Sequence, residues 1–65
     1  MSSLQSLHLK LKATLKDEAS LRMVNSRLIL RTGINLIDPA PAQTADPHSV
    51  ERVLGALRDM GFDIN

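Results

Sequence analysis

A chain of 65 residues with 43% apolar content, one Phe, and no Trp, Tyr or Cys is bounded before any motif is read. The length allows one domain, 1–65, near the margin at which a single core sustains a fold, and the missing cysteines exclude disulfide staples. The net charge of +1 predicts no affinity for nucleic acid by itself.

Its distribution says more. Residues 1–36 hold six Lys and Arg against two acids, a net +4, whereas residues 37–65 hold two against five, a net −3. Two halves that attract each other, within a chain or between copies, are the simpler reading; a basic face for a polyanion is the alternative. No apolar run approaches the ~20 residues of a membrane span. The start, Met1 to Gln5, lacks the basic and apolar regions of a secretory leader, so the expected compartment is cytoplasmic.

Residues 2–32 contain neither Gly nor Pro and are rich in Leu, Lys, Ala, Arg and Met, which predicts a helical region over 3–32. Ser2 followed by Gln5 has the form of a capping box. Leu4, Leu7, Leu11 and Leu15 fall on one helical stripe. Leu21, Val24 and Leu28 define a second stripe rotated by more than about 90°. Two helices with a bend near 16–20 reconcile the stripes, and Asp17 is placed to cap the second. The alternation in Leu7-His8-Leu9-Lys10-Leu11-Lys12 supports a competing ββα fold, with strands near 6–13 and 22–31. It lacks hairpin turn chemistry, and β-branched residues are sparse.

Gly33-Ile34 and Gly61-Phe62 each close an amphipathic run and read as Schellman caps. Ile34 would then fold onto Ile29, and Phe62 onto Leu57. Ile34 to Ile37 is expected to lie extended and plug a core edge. A Pro/Ala linker over 38–45 follows, with extended polyproline-like geometry. The last helix is predicted over 47–60, with Asp46 at its N-cap, Pro47 in its first turn and Val50, Val53, Leu54 and Leu57 on its apolar face.

The fold expected is all-α: the N-terminal helical region, the linker, and the C-terminal helix packed back as a helical hairpin. Leu21, Val24, Leu28, Ile29, Ile34, Leu36, Val50, Val53, Leu54, Leu57 and Phe62 form its predicted core. Leu4, Leu7, Leu11 and Leu15 are left over as a partner interface. With so little aromatic payload, a homo-oligomer or a protein partner is expected to complete the core.

Catalytic chemistry is thin. His8 and His48 have no cysteine to share a metal, and Asp46, His48 and Ser49 at one helix start do not converge on a reacting atom. The three glycines are isolated, so no phosphate loop occurs. Neither catalytic, cofactor nor metal residues are assigned, and no small-molecule substrate is evident. The expected role is a non-catalytic protein–protein interaction module, an adaptor, regulator or oligomer subunit, acting through an apolar helical face. The alternative is a dimeric nucleic-acid-binding transcriptional regulator, with Arg22, Arg27 and Arg31 as candidate contacts and Asn25 and Ser26 beside them.

Overall fold

The computed structural model describes residues 3–64. Four helices follow in order: α1 (Leu4–Leu15), α2 (Glu18–Thr32), α3 (Pro41–Ala45) and α4 (Ser49–Asp59). The architecture is all-helical, and segments 6–13 and 22–31 of the ββα alternative are helical. Ser2 lies outside the described residues. Ser3 caps α1, its Oγ accepting the Ser6 amide at 3.1 Å.

Between α1 and α2 the chain breaks at Lys16–Asp17. Lys16 takes a left-handed conformation, with φ 60°. Asp17 then caps α2 as its sequence position predicts. Its carboxylate accepts the Ala19 and Ser20 amides, each at 3.3 Å, and the Ser20 hydroxyl at 2.8 Å. The Ser20 hydroxyl, followed by the Ala19 and Ser20 amides, holds this carboxyl below its ordinary range.

A depressed folded pKa stabilises the fold above the unfolded value, about 4 for aspartate, and this contribution is lost as pH falls through the folded value. Asp17→Asn keeps an amide oxygen for capping but does not titrate. On acidification from neutral pH past about 4, its melting temperature should therefore fall less steeply than that of the wild type. Parallel melting curves against pH would show that Asp17 contributes nothing of this kind.

The two glycine stops end their helices by different geometries. Gly61, at φ 95°, closes α4 as a full Schellman cap. Its amide donates to Arg58 O at 2.9 Å, the Phe62 amide donates to Leu57 O at 2.8 Å, and Phe62 packs on the core cluster that holds Leu57. Gly33, at φ 74°, donates to Ile29 O at 2.8 Å, but the Ile34 amide donates to Thr32 Oγ1 at 3.1 Å. That is the simpler left-handed cap, which corrects the Schellman reading. Ile34 turns into the core, while Ile29 is 40% exposed and leaves the predicted core.

Two other expectations are corrected. Residues 38–45 are not extended throughout, because Pro41 opens the short helix α3, where its fixed φ and missing N–H suit the first turn. Gln43 supports it, accepting the Ala40 amide at 3.1 Å and donating to Gly33 O at 2.7 Å. The last helix runs over Ser49–Asp59 rather than 47–60. Asp46 caps a turn instead: its Oδ1 accepts the His48 amide at 2.9 Å and its carbonyl accepts the Ser49 amide at 3.2 Å.

Packing is three-way. Both α1 and α4 lie against α2 and touch each other, forming a three-helix cluster. The core holds Leu4, Leu7, Leu11, Leu21, Leu28, Ile34, Leu36, Val53, Ala56 and Leu57. Leu15, Val24, Val50, Leu54 and Phe62 pack against it, half-buried. The stripe expected to remain for a partner is therefore the α1 contribution to this chain's own core. The physical reason is the break at Lys16: it lets α1 and α2 turn their differently oriented stripes toward one interior. Exposed surface is 4357 Å², against about 4100 Å² for a folded monomer of 7.1 kDa. One copy thus exposes about as much surface as a folded monomer of its mass.

Candidate interaction surface

α2 carries the core on one side. Leu21, Asn25 and Leu28 are buried at helical spacing, and Thr32 continues the line half-buried. The opposite side is defined by the same periodicity: Ala19, Met23, Ser26 and Leu30 fall in a line facing solvent. A helix against a core ordinarily presents polar residues there. Here Met23 is 60% and Leu30 86% exposed, and Ile29 lies nearby on the exposed arc. Leu9 of α1 and Ile37 are the other large exposed apolar side chains among the described residues.

The arginines expected to meet nucleic acid border this face without sharing one side. On a helix Arg27 lies about 140° and Arg31 about 180° from Arg22, whereas Arg27 and Arg31 are only about 40° apart. Arg22 is engaged with Glu18 one turn away, at 3.0 Å. All three are exposed, as is Ser26, whose hydroxyl donates to Arg22 O at 3.0 Å.

Asn25 is not a free contact at all. It is 7% exposed. Its Nδ2 donates to Asn35 Oδ1 at 2.9 Å and its Oδ1 accepts the Leu36 amide at 2.8 Å. Asn35 Oδ1 also accepts the Asp38 amide at 3.0 Å, so the pair ties the 34–38 segment to α2. The sequence signal was present, since Asn25 is in register with Leu21 and Leu28, but its partner is ten residues away.

The basic and acidic halves do not neutralise each other by contact. Among the described residues no ion pair joins 1–36 to 37–65; besides Arg22–Glu18, only His48 approaches an acid, with its Nδ1 3.9 Å from Glu51. The halves are joined by packing of α4 on α1 and α2 and, at the end of α2, by Arg52 donating to Thr32 O at 2.6 Å. That places a cation on the orphan carbonyls of a helix C-terminus. Glu51 and Asp59 of α4 remain exposed.

Among the described residues no three His, Cys, Asp or Glu side chains gather as metal ligands, and no helix is long and apolar enough to cross a membrane. No protein-family model, curated protein or solved structure matches this chain.

Proposed function

We propose that this chain is a non-catalytic protein–protein interaction module that self-associates through the outer face of α2. The observation that carries the reading is the alignment of Met23 and Leu30, both largely exposed, on the side of α2 opposite the core. An apolar line at helical spacing is the form in which a helix docks into a partner's groove. A second copy is the partner best suited to it. Arg22, Arg27 and Arg31 flank the line, and another copy supplies exposed Glu51 and Asp59, which have no cross-half ion pair among the described residues. Met23 and Leu30 lie outside the core cluster, so association and stability should separate experimentally. The nucleic-acid alternative retains only Arg27 and Arg31 on one side of the helix.

In sedimentation velocity at low salt, the wild-type mass should rise between micromolar and millimolar concentration. Met23→Glu with Leu30→Glu should remain at single-copy mass, with stability within about 0.5 kcal/mol of wild type because both sites are exposed. A wild-type chain that stays at single-copy mass over the whole range refutes the proposal.

A further inference from the structure

The arginines beside Met23 and Leu30 restrict what can cover them. On the helix Arg22 lies about 70° to one side of the line from Ala19 to Leu30 and Arg27 about 70° to the other, with Arg31 beyond it. A two-fold contact sets the same patch of each copy against itself. Two α2 faces so paired would bring together three arginines and a single acid from each copy. Like charges across an interface oppose binding, so a different, acidic surface is the better match. A groove of about 400 Å³ between the start of α1 and the turn from α3 to α4 has that character. Leu4, Ala45, Pro47 and Val50 give it apolar walls, and Asp46 and Glu51 are its charged residues. No lysine, arginine or histidine lines it among the described residues. Asp46 uses one carboxylate oxygen on the His48 amide, and Glu51 stands 3.9 Å from the His48 ring, a partner only when that ring is protonated. A second groove bordered by Glu51 differs, because Arg31 and Arg52 stand in it with Glu51 and Asp59 and its cations cancel its acids.

Building on the self-association proposed above, we infer that the outer face of α2 docks into the Asp46–Glu51 groove of a second copy. Leu30 enters between the apolar walls, and Arg27 meets Glu51 and Asp46 at the rim. Leu30 is the most exposed large apolar side chain among the described residues, at 86%, and Arg27 enters no ion pair among them. Charge complementarity selects a second copy as the occupant, since one chain carries both the cationic knob and the acidic hollow. A contact between unlike surfaces leaves one knob and one groove free on every pair, so copies add head to tail.

Sedimentation velocity of single and mixed variants of the full chain is the test. Wild type should grow past two copies as its concentration rises, and added salt should weaken the growth. Leu30→Glu removes the knob, and Ala45→Trp fills the groove from an exposed position. Each alone should stay at single-copy mass with the far-ultraviolet circular dichroism of wild type. Mixed in equal amounts, they should form pairs and stop there, because each pair holds one intact knob and one intact groove. Ala45→Trp that associates like wild type overturns the groove while leaving α2 as the self-associating face. A mixture that remains at single-copy mass overturns it as well. Wild type at single-copy mass throughout removes the self-association proposal and the groove with it. Charge exchange gives a second measure that does not depend on filling the groove. Arg27→Glu and Glu51→Arg should each weaken association about threefold, the scale of an exposed ion pair, and both changes in one chain should recover it. Tighter association in Arg27→Glu, expected where α2 pairs with α2, overturns the proposal.

Discussion

Asn25→Ala should destabilise the protein by roughly 2–4 kcal/mol, although it removes only a small polar side chain from a helix bounded by arginines. The cost arises in the partners left behind. The Leu36 amide loses its acceptor inside the core, at a residue that is 1% exposed. A buried donor without a partner costs about 1–3 kcal/mol. Asn35 simultaneously loses the donor at 2.9 Å that holds its amide oxygen over the Asp38 amide. Denaturant unfolding should show the loss in the midpoint, and hydrogen exchange should show it at the Leu36 amide, which would exchange faster than its neighbours in α2. Had Asn25 been a free nucleic-acid contact, the same substitution would change stability by no more than about 0.5 kcal/mol. That small value would remove the network from the account of the fold.

Leu7→Ala should have the other large effect, about 2–5 kcal/mol, because Leu7 is fully buried and its loss leaves a cavity. Stability near 0.05–0.15 kcal/mol per residue gives a chain this short roughly 3–10 kcal/mol in total. The variant should therefore be partly or wholly unfolded at room temperature by far-ultraviolet circular dichroism, at every protein concentration. Leu9→Ala, two residues along, is the control. Leu9 is 57% exposed, so its truncation should cost within about 0.5 kcal/mol. In a strand the two leucines would share one face; in α1 they lie about 160° apart. Equal losses from the two would contradict the helix, and a concentration-dependent loss from Leu7→Ala would return the stripe to an interface between copies.

The separation of Leu7 from Leu9 also marks how far the chain's own pattern carries. Helix punctuation is a local matter, decided by groups a few residues apart. Asp17 before Ala19 and Ser20, Gly61 before Phe62, and the Gly- and Pro-free run up to Thr32 all take their observed form from such neighbours. The break between α1 and α2 was legible for the same reason. A left-handed lysine at its corner was not, because side-chain type alone favours glycine there.

What an apolar or polar stripe meets is decided over longer separations. Leu4, Leu7 and Leu11 read as surplus because the pattern shows how many faces exist but not how the break at Lys16 orients them. Asn25 read as a surface contact because its partners, Asn35 and Leu36, come close only when the 34–38 segment folds back on α2. Pro41 read as extended, and Gln43 bonding to Gly33 O supports a helical turn there. Sequence by itself determined where α1 gives way to α2 and where α2 and α4 end, since capping is settled within one turn. Tertiary structure alone decided which leucines are interior, which asparagine is structural, and that Met23 and Leu30 of α2 are left facing water, since burial depends on elements brought together from distant parts of the chain.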